Sequence, residues 1–91
     1  MAKISIVQDS TGKDSGHWFE CPGCEFMHVY PFGRWAFNGD VDKPTFTPSY
    51  LQYEAPNVPR CHFFVTDGKI QFLADCTHKL AGQTLEMEEI T

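Results

Sequence analysis

Arg60-Cys-His-Phe-Phe-Val-Thr-Asp-Gly-Lys-Ile-Gln-Phe-Leu-Ala-Asp-Cys-Thr-His78 holds two β-rich runs joined by Asp67-Gly68. Asp-Gly between apolar runs is a strong short-range hairpin signal. A two-residue turn pairs Thr66 with Lys69, Phe63 with Phe72 and Cys61 with Ala74. One face then carries Cys61, Phe63, Val65, Ile70, Phe72, Ala74 and Cys76, and the other His62, Phe64, Thr66, Lys69, Gln71, Leu73 and Asp75. The first set is nearly all apolar, so it is the face expected to be buried. Cys61 and Cys76 become diagonal neighbours with Cα atoms roughly 7–8 Å apart. Two thiolates at that separation can share one zinc ion, each reaching about 2.3 Å to the metal. A three-residue turn with Gly68 in a bulge slips the register by one, bringing His62 beside Cys76 and turning Cys61 away. The two-residue turn separates apolar from polar residues more cleanly and is preferred.

Upstream, Cys21-Pro-Gly-Cys24 supplies a second pair of thiols at the spacing that clamps one tetrahedral ion. The expected metal ligands are therefore Cys21, Cys24, Cys61 and Cys76, holding one structural zinc per chain. His62 and His78 stand as alternative ligands or functional residues. His17 and His28 read as ordinary strand histidines, although His28, with three residues between it and Cys24, keeps a ligand role open. Asp75 is suited to capping the following turn or to orienting a histidine. A redox reading of Cys-x-x-Cys expects a βαβ setting with a helix after the motif, and no such pattern follows.

Ninety-one residues suit one small domain whose limited core a metal would help to hold. Residues 1–91 are read as a single zinc-stabilised β domain, with 85–91 an acidic, frayed tail. Twelve acidic against seven basic residues give a net charge of −5, which disfavours nucleic acid as a partner. The first residues lack the apolar core of a secretion signal, and no stretch nears membrane-spanning length. The expected location is cytoplasmic, where four cysteines are more readily ligands or free thiols than two disulfides.

Strands are expected over 3–8, 17–21, 25–32, 45–54 and 83–87, with a short apolar run at 34–37 closed by Asn38-Gly39. Pro44 and Pro48 suit an edge strand. Thr77-His-Lys-Leu-Ala81, closed by Gly82, has the makings of one helical turn. The fold class is mostly β: a small antiparallel domain of hairpins around a zinc site, with at most one short helical turn.

The blocks Trp35-Ala-Phe-Asn-Gly-Asp-Val-Asp-Lys-Pro-Thr-Phe-Thr-Pro-Ser49 and Cys61-His-Phe-Phe-Val through Leu-Ala-Gly-Gln-Thr84 resemble an uncharacterised family of small phage and prophage proteins. Members are often labelled "ammonia monooxygenase". The resemblance spans about residues 17–87. It implies a phage or prophage origin and a metal site at Cys21, Cys24, Cys61 or His62, and Cys76 or His78. Related domains sit beside bacterial ubiquitin-like conjugation genes, which implies an accessory role. The oxygenase label finds no oxygen-activating copper or iron arrangement in these residues.

Two functions are weighed. A closed four-thiol site leaves no open metal position, which favours a non-enzymatic zinc module that binds a host or phage protein. The rival is a small zinc-dependent hydrolase, with three protein ligands, a metal-bound water, and His62, His78 or Asp75 as base.

Overall fold

The computed structural model describes residues 2–90, which form eight strands and no helix. The hairpin register is the one expected from the two-residue turn. Asp67 and Gly68 both take positive φ, 51° and 77°, the signature of the turn whose twist matches the strands it joins. β6 (Cys61–Thr66) and β7 (Lys69–Phe72) accordingly pair Phe63 with Phe72 and Thr66 with Lys69. Gly68 is itself buried under the 42–44 loop, and a Cβ there would lie 3.2 Å from the Lys43 Cα.

The other strands are β1 (Ser5–Gln8), β2 (Asp14–Glu20), β3 (Met27–Pro31), β4 (Ala36–Phe37), β5 (Phe46–Gln52) and β8 (Thr84–Glu86). They build two antiparallel sheets, β1-β2-β3 and β4-β5-β6-β7-β8. β5 is not a plain edge strand, because β4 pairs with its first two residues. Past those two, its outer side faces no strand among the described residues. Residues 79–82 make a turn rather than a helix, with Gly82 at φ 78°. No helix of the described residues is long and apolar enough to cross a membrane.

Alternation puts Phe19, His28 and Tyr30 on the inner face of the smaller sheet, and Phe46, Tyr50 and Phe63 on that of the larger. The two faces meet through rings. Tyr30 stacks on Phe46 at 3.9 Å between centroids, and Phe19 meets Phe63 edge-on at 5.7 Å. Phe63 has no exposed surface and also touches His28, Tyr50 and Phe72. Phe63→Ala should therefore remove about 3–5 kcal/mol, a cavity the two sheets cannot close. Thermal melting should show a midpoint lower by more than about 10 °C, and a shift of only a few degrees would mean the core repacks freely.

Glu86 and Met87 are held against the rest of the fold. Met87 is buried and its N–H donates to the Gly68 carbonyl, while Lys3 pairs with Glu86 at 2.7 Å.

Candidate active site and metal centre

Neighbouring residues of β6 look in opposite directions. Cys61 is fully buried on the inner face, while His62 emerges on the outer one. Each serves a different cluster.

Inside, Cys21, Cys24, His28 and Cys61 bring one ligand atom each to within 4.8 Å of one another. The knuckle is tied by Glu25 N to the Cys21 carbonyl (2.8 Å), Cys21 N to the Phe26 carbonyl (2.9 Å) and Cys24 N to Cys21 Sγ (3.4 Å). Cys21 Sγ lies 4.0 Å from Cys61 Sγ. Cys61, Cys76 and His78 form a second set that shares Cys61. Cys76 thus groups with Cys61 and His78, and His28 stands with the other three thiols. Gly23 is needed here, because a Cβ would overlap the His78 ring.

Protonation logic separates the two histidines. His78 Nδ1 accepts from Leu80 N–H at 3.2 Å, so in the neutral ring Nε2 carries the proton and donates to Cys61 Sγ, 3.4 Å away. His28 Nε2, in contrast, is buried with no hydrogen-bond partner, a property it shares only with Tyr30 Oη among the described residues. A buried imidazole grouped with three sulfurs is the donor set expected of a tetrahedral soft-metal site. The thiols also lack a counter-charge. The hydrogen bond with Cys61, followed in weight by the contact with His28, holds Cys21 down to about 4. Burial and then the charge of Cys21 push Cys24 up to about 11, and Cys61 is raised through its bond to Cys21 and its burial. Without a cation the cluster accommodates one negative charge, not three.

Outside, the strands assemble a line that spans three segments. β5 bulges between Phe46 and Tyr50, so that 47–49 stand opposite Phe64 alone. Beyond the bulge Leu51 pairs with His62, and Ser49 shares the face of Leu51. Ser49 Oγ reaches His62 Nε2 at 3.1 Å. His62 Nδ1 lies 3.2 and 3.3 Å from the two oxygens of Asp75. A carboxylate only accepts, so Nδ1 bears the proton and Nε2 is free to accept from the serine hydroxyl.

Two further contacts fix the line. Arg60 Nε donates to Asp75 Oδ2 at 3.0 Å. That bond first, and the contact with His62 after it, hold the Asp75 carboxyl below its ordinary range. Cys76 Sγ sits 3.2 Å from both the N–H and the carbonyl of His62, clamping the histidine main chain.

His62 and Asp75 were both legible as candidates, Asp75 as a residue able to orient a histidine. Ser49 was not, and its neighbourhood holds no Gly-x-Ser-x-Gly turn or other local nucleophile signature. His28 was read as an ordinary strand histidine with a ligand role left open.

Fold and site together define a small all-β protein that carries a hydroxyl, an imidazole and a carboxylate in hydrogen-bonded sequence. The model of one family, the bacterial ubiquitination-like system serine protease (BubE), matches residues 1–73, and the chain belongs to that family. Ser49 and His62 lie within the matched stretch and Asp75 two residues beyond it. No curated protein and no solved structure matches the chain. Membership overturns the expectation of a non-enzymatic phage module, since the family is described by a protease activity in a bacterial system. The rival expectation, hydrolysis, agrees with it.

Proposed function

We propose that the protein is a serine peptidase of a bacterial ubiquitination-like system, with Ser49 as nucleophile, His62 as general base and Asp75 as the carboxylate that orients it. One observation carries the reading: Ser49 Oγ, His62 and Asp75 are joined by contacts of 3.1 and 3.2 Å, the geometry by which an otherwise weak hydroxyl is activated. His62 Nε2 takes the Ser49 proton as Oγ attacks the carbonyl carbon. It returns that proton to the leaving amine as the C–N bond breaks, which leaves an acyl ester on Ser49. Water, deprotonated by the same nitrogen, then hydrolyses the ester. Asp75 stays ionised throughout and stabilises the imidazolium. Its substrates in this reading are protein components of a conjugation pathway, which the family description supports.

In this reading the inner cluster is a structural zinc site with Cys21, Cys24, His28 and Cys61 as its four ligands. His78 Nε2–H donates to the Cys61 sulfur from outside the ligand set. Zinc supplies positive charge and a cross-link between β6 and the knuckle. The pathway to hydrolysis runs on the opposite face of β6, through Ser49 and His62.

Diisopropyl fluorophosphate tests the assignment. It should add covalently to one residue, Ser49, identified by peptide mass spectrometry, and His62→Ala should slow that addition by at least about a hundredfold. Labelling at another serine, or labelling unaffected by His62→Ala, would refute it.

A further inference from the structure

Past its first two residues, the strand bearing Ser49 has one side that no strand among the described residues covers. β4 pairs with β5 only at Phe46 and Thr47. Beyond them, Trp35 Nε1 donates to the Ser49 carbonyl at 3.4 Å. Hairpin geometry then fixes where the next main-chain groups point. A two-residue turn makes Thr66 and Lys69 its closing hydrogen-bonded pair, so even-numbered residues of β6 direct N–H and C=O toward β7. Leu73 N–H donating to the His62 carbonyl at 2.9 Å agrees with this. Cys61 and Phe63 therefore serve β5, where they face Gln52 and Tyr50. Leu51, between those two, turns its N–H and C=O to the uncovered side. It stands two residues from Ser49, about 7 Å along the strand.

We propose that this uncovered edge of β5 at Leu51 docks the scissile segment of the substrate, an extended and unstructured stretch of polypeptide, as an added strand. The proposal rests on Ser49 being the nucleophile. An extended peptide is the partner whose main chain offers both a carbonyl to the Leu51 N–H and an N–H to the Leu51 carbonyl at strand spacing. The same pairing presents successive peptide bonds along the flank of Ser49. A compact substrate surface cannot do this, which assigns the enzyme to flexible tails or linkers rather than to folded domains. A second copy of the chain pairing at this edge would instead cover Ser49.

Leu51→Pro is the test, because it removes only the outward N–H and leaves the bonds of Tyr50 and Gln52 to β6 in place. Two probes are applied to wild type and variant. Diisopropyl fluorophosphate reads the nucleophile alone. A pool of unfolded peptides from a digested bacterial lysate, with new termini read by mass spectrometry, reads docking. Leu51→Pro should label at the wild-type rate and cleave the pool at least about tenfold more slowly, the scale of one lost main-chain hydrogen bond. Equal cleavage by both proteins overturns the docking edge and leaves the nucleophile standing. Failure of the wild type to label overturns the nucleophile and the docking edge with it. A wild type that labels yet cleaves no peptide overturns the docking edge alone, since main-chain pairing is tolerant of sequence. A dimer in light scattering that Leu51→Pro converts to monomer assigns the edge to a second copy and also overturns it. Should Leu51→Pro lose labelling through misfolding, the wild type is given a cleaved peptide resynthesised with one N-methyl residue at a time. Loss of cleavage at alternate positions supports the added strand, and loss at none refutes it.

Discussion

Ser49→Ala should abolish peptide hydrolysis and leave the fold intact. The side chain lost is small and half-buried, and its one specific contact is the 3.1 Å bond to His62. Stability should change by no more than about 1 kcal/mol, while turnover should fall by roughly 10⁴-fold or more. The three residues act as a unit, so Ser49→Ala combined with His62→Ala should be no worse than either change alone. Asp75→Asn should behave differently. The amide keeps the shape but can present an N–H to Nδ1, which drives the ring into the tautomer whose Nε2 carries a proton and cannot accept from Ser49. The expected loss is again severe, with substrate binding unchanged. Steady-state kinetics on a cleaved peptide, with melting curves of each variant, decide it. An active Ser49→Ala protein would remove the serine mechanism outright.

Cys61, His62 and Asp75 were readable from the hairpin, and Ser49 and His28 were not. Asp67-Gly68 sets a two-residue turn, the turn sets the register, and the register sends Cys61 inward and His62 outward. Those are short-range consequences of residues within 60–78. Ser49 reaches His62 because β5 bulges over 47–49 before pairing Leu51 with His62. Nothing local in Thr47-Pro-Ser49 encodes that pairing, which depends on a strand returning from more than ten residues away. His28 has the same difficulty in another form. It lies on β3 in the smaller sheet, and it meets Cys61 only when the two sheets close on each other. A histidine in an apolar strand pattern is ordinary by itself, and only its place beside three cysteines, with one buried nitrogen unpartnered, sets it apart. The proline argument for an edge at β5 held for the half of the strand that matters. β4 covers Phe46 and Thr47, and past them the strand has an open side.

Stripping the metal should unfold the protein and silence it together. The candidate ligands sit where the two sheets join, Cys21 and Cys24 flanking the knuckle, His28 on β3 and Cys61 at the start of β6. With no ion, burial and then the charge of Cys21 hold Cys24 near 11, and the bond to Cys21 and then burial raise Cys61, so the empty cluster keeps protons on these two thiols. A divalent cation reverses this, ionising Cys24 and Cys61 as well as Cys21 and releasing the two protons as it binds. The released protons give the sign of the pH dependence: affinity rises with pH and falls on acidification, as protons compete for the sulfurs. Binding free energies of structural zinc sites are on the order of 10 kcal/mol, comparable to the whole stability of a domain this small. Treatment with a strong chelator at neutral pH should therefore lower the melting midpoint by more than about 20 °C or leave no transition at all. Activity should vanish with the fold, because His62 adjoins Cys61 in the chain and its main chain is clamped by Cys76. Zinc added back should restore both, and cadmium, which also favours thiolates, should restore the fold and the fluorophosphate labelling of Ser49 as well. Rescue by a metal of such different acidity separates a structural role from one in activating water. Metal-free protein that melts at the holo temperature, with elemental analysis confirming the loss, would show that the two sheets hold without the ion.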